Sequence, residues 1–149
     1  MDVFIDFLIS YGNIGMFISS FLAGSILPLS SEAVMTGLQI AGADKWQLLM
    51  WATLGNTLGS LLNYWLGHLC KKEWLLRKFS VKPERFKKSE KLVEKYGGWI
   101  GFLSWVPVLG EALTLAMGLM RTNIYISITS IFLGKFIRYL IIILAISNV

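Results

Sequence analysis

The sequence contains few charged residues for its length. Only 15% of its 149 residues are Asp, Glu, Lys or Arg, whereas 55% are hydrophobic, and the mean hydropathy is +0.62. About a quarter of the residues of a soluble domain are charged. The composition therefore excludes an ordinary soluble domain, and the chain length and the long apolar runs indicate one domain in a membrane, residues 1–149.

The side chains that build catalytic and metal centres are scarce as well. Cys70 is the only cysteine and His68 the only histidine, so the chain has neither an internal disulfide nor a zinc-ligand cluster. No glycine-rich phosphate loop follows a strand pattern, and no serine within the apolar segments has a histidine partner. We therefore predict no catalytic residues, no metal and no cofactor, and we expect a carrier rather than an enzyme.

Proline occurs three times, and two of the prolines interrupt apolar segments. Pro28 and Pro107 each remove a backbone donor, which breaks a helix. The apolar lengths on either side are about a dozen residues, which is too short to span ~30 Å of hydrocarbon. With Pro28 and Pro107 as the hairpin-breaking residues, we predict two re-entrant helical hairpins, residues 14–43 and 99–121.

Further segments of the predicted all-α membrane fold lie around these hairpins. Two apolar runs, residues 46–69 and 124–146, have the length of full transmembrane helices. Residues 1–13 mix acidic and apolar side chains and are predicted to form an interfacial helix. This N-terminus lacks the positive charge of a cleavable signal peptide, so we expect it to remain in the mature protein.

Positive charge is concentrated in one segment of the chain. Ten of the 14 Lys and Arg residues lie within residues 71–95. Next to membrane spans this bias marks a cytoplasmic loop, so we predict a bacterial inner-membrane protein that does not bind nucleic acid. The basic segment 71–96 contains an amphipathic helix, since Pro83 suits a first helical turn and Gly97 a helix end. We expect its lysines to face anionic headgroups.

The two predicted hairpins carry the same motif. Ser-x-x-Pro-x-x-x-Glu-Ala begins at Ser25 and again at Ser104, 79 residues later, and a polar turn and a span containing Leu-Gly follow each copy. One predicted span separates the copies, so the hairpins would enter the membrane from opposite sides. This inverted repeat is typical of secondary transporters. The first hairpin would enter from outside, with span 46–69 running inward and span 124–146 outward.

Charged residues within the apolar segments are candidates for a functional site. Each of two glutamates stands where a returning half-helix begins, and there free N–H groups and the helix dipole favour a carboxylate. Two cations lie three residues apart on the last span, and the arginine fork suits phosphate. The predicted substrate- and proton-binding residues are Glu32, Glu111, Lys135, Arg138, Asn56 and Tyr139.

These residues favour a membrane lipid transporter, a flippase or scramblase, that moves a phosphate-headed lipid. Its partners would be lipids with anionic phosphate headgroups, and Glu32 and Glu111 would couple transport to protons. Two alternatives remain open, a proton- or cation-coupled transporter of small solutes and a non-transporting scaffold or envelope-homeostasis protein. In the scaffold, the glutamates would only cap helices and pair with the cations. Because two spans and two hairpins are few to enclose a cavity, we also consider a homodimer.

Four stretches of the sequence carry a family resemblance. They are Pro28-Leu-Ser-Ser-Glu32, Gly55-Asn-Thr-Leu-Gly59, Leu103-Ser-Trp-Val-Pro-Val-Leu-Gly-Glu111 and Leu133-Gly-Lys-Phe-Ile-Arg-Tyr139. With them the chain resembles the DedA/VTT family of membrane proteins, particularly its short YqaA-like branch. The resemblance implies two facing re-entrant hairpins and the movement of undecaprenyl phosphate or a phospholipid across the bilayer.

The sequence departs from the typical family pattern at three positions. Ser104 and Gly110 stand where most members have arginines on either side of the second hairpin's proline, and Asn56 stands where most have an aspartate. The cations of the following span, Lys135 and Arg138, are our inferred replacement for the missing arginines.

Overall fold

The computed structural model describes residues 7, 9–24, 31–78, 82–105 and 109–147, with the backbone alone at residues 78, 105, 109 and 111. All regular structure in these ranges is helical, which confirms the predicted all-α class. The helices are α1 Asn13–Gly24, α2 Ser31–Ile40, α3 Lys45–Leu69, α4 Lys72–Lys78, α5 Pro83–Tyr96, a 3₁₀ helix Gly97–Trp105, α6 Leu109–Leu119 and α7 Ile124–Ser147.

The two long helices begin with the same kind of cap. The Asp44 carboxylate accepts a hydrogen bond of 2.9 Å from the backbone N–H of Trp46 at the start of α3. The side-chain oxygen of Asn123 likewise accepts from the N–H groups of Tyr125 and Ile126 at the start of α7. Asp and Asn are favoured caps because they satisfy N–H groups that have no partner within the helix. The similar turns that precede the two predicted spans therefore have the same structural role.

In the described part of the chain, α7 alone is both long enough and apolar enough to cross a membrane by length and composition. Its 24 residues would extend over about 36 Å. Helix α3 has 25 residues, within a residue of the predicted span, but its average hydropathy falls below that of a typical span. Several of its polar side chains are buried inside the protein, including Thr53, Asn56, Ser60 and Asn63.

The segments predicted as hairpins contain two helical arms each. Helices α1 and α2 are the arms of the first, and the 3₁₀ helix and α6 are the arms of the second. Pro28 and Pro107 lie outside the described residues, as do residues 1–6 and 8 of the predicted interfacial helix.

The first arm of the second predicted hairpin is a 3₁₀ helix and not an α-helix, and the spacing of its small residues explains this difference. Gly98, Gly101 and Ser104 are buried and lie three residues apart, so the three-residue turn of a 3₁₀ helix places them on one face. The Ser130 hydroxyl donates to the carbonyl oxygen of Gly98 at 2.6 Å, and a Cβ on Gly101 would collide with Ser130. This face therefore packs closely against α7.

The described residues divide into two compact units, residues 1–59 with 136–149 and residues 60–135. The first unit has a core from α1, α2, α3 and α7, formed by Met16, Val34, Met35, Leu38, Leu48, Leu49, Ala52, Tyr139 and Ile143. The second unit has a core from α3, α4, α5, the 3₁₀ helix, α6 and α7, formed by Tyr64, Leu75, Phe86, Val93, Ile100, Leu113, Leu115, Ala116, Met117 and Ile131.

Helix α5 has the predicted ends. Pro83 occupies its first turn, and it ends at Gly97, which has a φ of 62° and donates its N–H to the Val93 carbonyl. Three side chains form an apolar stripe along α5; Phe86 and Val93 are buried within the second unit, whereas Tyr96 is exposed. Protein therefore covers most of the stripe, and the lysines of α5 face outward.

Candidate functional site

A buried hydrogen-bond network in the first unit is centred on Tyr139. The ring is fully buried, and its hydroxyl lies 2.8 Å from the Ser31 hydroxyl. The same hydroxyl accepts a hydrogen bond of 2.9 Å from the side-chain amide of Asn56, which also donates to the Ser20 carbonyl at 3.1 Å. Four helices, α1, α2, α3 and α7, each contribute one residue, so the network fixes the start of α2 against α7.

An ion pair between Glu32 and Arg138 lies beside this network. Glu32 is in the first turn of α2, where unpaired N–H groups and the helix dipole stabilise a carboxylate. The guanidinium carbon of Arg138 is 5.7 Å from the centre of the Tyr139 ring. The side chains of Arg138 and Glu32 are 23% and 35% exposed, so a molecule outside the protein can reach the pair.

The position of Arg138 along α7 makes this pair unusual. Arg138 follows the first residue of α7 by about 21 Å of a helix about 36 Å long, so it is near the helix middle. Charged groups at such depth are rare in membrane helices and mark pathways for ions or substrates. Tyr139 is the next residue and lies about 100° further around the helix. It enters the core while Arg138 remains at the edge of the unit.

Lys135 belongs to the second unit and is nearly buried there, with 5% of its surface exposed. Its ammonium group donates a hydrogen bond of 2.9 Å to the backbone carbonyl of Ser104, at the end of the 3₁₀ arm. Asn63 of α3 donates to the Thr114 hydroxyl of α6 at 3.5 Å in the same unit. Glu111 lies in the first helical turn of α6, but its side chain is outside the described part of the chain.

The structure thus brings together four of the six predicted site residues, Glu32, Asn56, Arg138 and Tyr139. Lys135 belongs to the second unit, where it donates to the Ser104 carbonyl. Ser31 was not among the predicted site residues, although its place directly before Glu32 at a helix start was a usable signal. The carbonyl groups of Ser20 and Ser104 had no signal in the sequence, because any residue offers a backbone acceptor.

The described residues contain no cluster of three or more His, Cys, Asp or Glu side chains that could hold a metal ion. His68 lies between aromatic rings, stacked on Tyr64 at 6.4 Å and edge-on to Trp65 at 5.7 Å between ring centres.

The apolar composition, the helical fold of the described residues and the long apolar helix α7 are features of the helical class of integral membrane proteins. The VTT domain family matches residues 27–148. The chain belongs to this family of DedA-type membrane proteins.

Several relatives share much of the chain. It is 38% identical over 125 residues to the inner membrane protein YqaA of Escherichia coli, covering 83% of each chain. It is 34% identical over 151 residues to an uncharacterized protein of Haemophilus influenzae, covering 93% of this chain and 92% of the relative. It is 26% identical over 106 residues to the uncharacterized membrane protein YkoX of Bacillus subtilis, covering 68% of this chain and 46% of that one. No solved structure matches significantly.

Proposed function

We propose that the protein moves a phosphate-headed lipid, undecaprenyl phosphate or a phospholipid, across the bacterial inner membrane as a flippase or scramblase. The observation that carries this proposal is the partly exposed ion pair between Glu32, in the first turn of α2, and Arg138, near the middle of the apolar helix α7. A guanidinium binds carboxylate and phosphate with the same forked geometry. A lipid phosphate can therefore take the place of the Glu32 carboxylate on Arg138.

This exchange gives Glu32 a role in coupling to protons. A carboxylate that loses its cation at membrane depth is costly, and uptake of a proton removes the cost. Lipid binding to Arg138 would then be linked to protonation of Glu32, and departure of the lipid would restore the ion pair. The hydrogen bonds among Ser31, Asn56 and Tyr139 would hold the start of α2 in place during the exchange.

The second repeat would have a role that corresponds to that of the Glu32–Arg138 pair. Glu111 stands at the start of α6 as Glu32 does at the start of α2, and Lys135 supplies a cation beside the second hairpin. Both hairpins would be re-entrant and would enter from opposite sides, in the inverted-repeat manner of secondary transporters. The basic segment 71–95 would be cytoplasmic.

This topology requires α3 to cross the membrane, and the exposed side of α3 supports a crossing. Five polar residues in the middle of α3, Thr53, Asn56, Thr57, Ser60 and Asn63, are buried inside the protein, whereas the exposed residues from Met50 onward are all apolar. A span that packs polar groups inward and apolar groups outward has a moderate average hydropathy but an apolar lipid-facing surface. The exposed apolar residues from Met50 onward are Met50, Trp51, Leu54, Leu58, Leu62, Trp65 and Leu69.

The test measures transport of a fluorescent phospholipid by purified protein in vesicles. A reagent outside the vesicles destroys the dye on the outer leaflet, so the loss of fluorescence reports the lipid that reaches this leaflet. Wild-type protein should move lipid across the vesicle membrane. Arg138→Gln should lower the rate at least about tenfold, because removal of a charged hydrogen-bonding partner costs about 1.5–3 kcal/mol. Glu32→Gln should remove the response to an imposed proton gradient. Glu90→Gln is the matched control, since it neutralises the partner of Lys72 in another partly exposed ion pair, between α4 and α5.

Other outcomes would replace the proposal. Full transport by Arg138→Gln protein would exclude phosphate binding at this residue. Ion or solute flux without lipid movement would support the small-solute transporter instead. A protein that moved neither lipids nor solutes would support the scaffold. Because we propose a carrier and not an enzyme, mass spectrometry of the vesicle lipids should show them chemically unchanged after transport.

A further inference from the structure

A groove in the second unit contains neither residue of the Glu32–Arg138 pair among its lining residues, and it plays no part in the proposed transport. It has a volume of about 310 Å³, and its walls are almost entirely apolar. One wall comes from the C-terminal end of α5 and the other from the 3₁₀ helix. The lining residues are Leu92, Tyr96, Trp99, Ile100 and Leu103.

We propose that this groove binds one anionic phospholipid of the surrounding leaflet, with an acyl chain in the groove and the phosphate on the lysines of α5. The groove is open, since Tyr96, Trp99 and Leu103 are 48%, 57% and 37% exposed. Exposed Tyr and Trp side chains are typical of the boundary between headgroups and acyl chains. Their position at the groove indicates that it lies at this boundary.

The charges around the groove match an anionic headgroup. Lys88 and Lys95 are exposed and lie within about 60° of Leu92 around α5, whereas Glu94 lies about 160° away. The Lys95 ammonium is 5.3 Å from the centre of the Tyr96 ring, so it is held above one wall of the groove. Lysines beside a membrane surface attract anionic lipids by roughly 1 kcal/mol each.

The dimensions favour a lipid over a protein segment. A helix with its side chains is about 10–12 Å in diameter, which is more than a groove of about 310 Å³ can enclose. A single flexible acyl chain needs no polar partner along its length, and the apolar walls offer none. The proposed lipid site therefore consists of an apolar groove for the acyl chain and a basic edge for the phosphate.

The experiment measures quenching of Trp99 fluorescence by lipids with brominated acyl chains in mixed detergent micelles. The Trp99 signal is the part of the quenching that disappears in Trp99→Phe protein. Brominated phosphatidylglycerol should quench Trp99 at a roughly tenfold lower lipid fraction than brominated phosphatidylcholine. The double variant Lys88→Gln/Lys95→Gln should lose this preference.

The control variant Lys82→Gln/Lys87→Gln removes the same charge from positions away from the groove face and should keep the preference. Equal quenching by the two lipids in wild-type protein would overturn the proposal, as would equal losses in the two double variants. Absence of Trp99 quenching by either lipid would also overturn it. Binding here is independent of transport, so Glu32→Gln protein should bind the lipid like wild type even if the proposed transport is wrong.

Discussion

Asn56 and Lys135 stand at equivalent positions of the sequence repeat, 79 residues apart, and each donates a hydrogen bond to a backbone carbonyl in its own unit. The Asn56 amide donates to the Ser20 carbonyl on α1, and the Lys135 ammonium donates to the Ser104 carbonyl on the 3₁₀ arm. Each follows a glycine, Gly55 or Gly134, at which a Cβ would collide with the backbone of the same arm. In both units, a long helix therefore packs closely against the helix that begins a predicted hairpin and forms a hydrogen bond to it.

Replacement of Lys135 tests how much its hydrogen bond to the Ser104 carbonyl contributes to stability. Lys135→Met keeps the length of the side chain but leaves the buried Ser104 carbonyl without its donor. An unsatisfied buried acceptor costs about 1–3 kcal/mol, so we expect a lower midpoint of thermal unfolding in detergent. Lys88→Met is the control, because Lys88 is exposed and exposed substitutions change stability by about 0.5 kcal/mol or less. Equal midpoints for the two variants would contradict a structural role for Lys135.

The fold and the site were predictable from sequence to different extents. Helix ends were clear because they depend on local chemistry, as the caps at Asp44 and Asn123 and the stop at Gly97 show. The 3₁₀ arm was not recognised, since its signal is only the three-residue spacing of Gly98 and Gly101 within an apolar stretch.

The pairing of charges depends on packing and could not be derived locally. Glu32 and Arg138 are 106 residues apart in sequence. Lys135 lies one turn from Arg138 on α7, so both cations were equally good partners for Glu32 by sequence. The folded chain distinguishes the two cations, because Lys135 belongs to the second unit and Arg138 to the first.

The hydroxyl of Tyr139 should contribute to stability through its two partners. Tyr139→Phe removes a group that contacts the Ser31 hydroxyl and the Asn56 amide, both buried. Hydrogen bonds between membrane helices contribute about 1 kcal/mol, so we expect a loss of about that size in unfolding free energy. Tyr125→Phe is a matched control, since Tyr125 is 79% exposed.

A double-mutant cycle extends this prediction to the pair. If Ser31 and Tyr139 act through their shared hydrogen bond, Ser31→Ala should cost less in the Tyr139→Phe background than in the wild type. Additive losses would show that the two residues stabilise the fold independently.

Close contact between α3 and α6 should be sensitive to a single methyl group. Cβ atoms on Gly67 and Gly118 would collide with the carbonyl groups of Leu115 and Tyr64, and backbone cannot move aside easily. We expect Gly118→Ala to lower the unfolding free energy by about 1–3 kcal/mol, as overpacking does. Gly98→Ala should cost less, because its Cβ would meet side-chain atoms of Ile126 and Ser127 at 3.1 Å. The measurement is thermal unfolding of the two variants side by side, and the reverse order would contradict the packing.

The proposed crossing of α3 predicts that its two ends are accessible from opposite sides of the membrane. Asp44 precedes α3 and Lys88 follows it in the basic helix α5, and both are exposed. In a Cys70→Ser background, which removes the only native cysteine, Lys88→Cys and Asp44→Cys each provide a single thiol. A membrane-impermeant maleimide added to intact spheroplasts should label Asp44→Cys protein and should label Lys88→Cys protein only after lysis, because the basic segment would be cytoplasmic. Labelling of both thiols before lysis would place the two ends of α3 on the same side and would exclude a crossing.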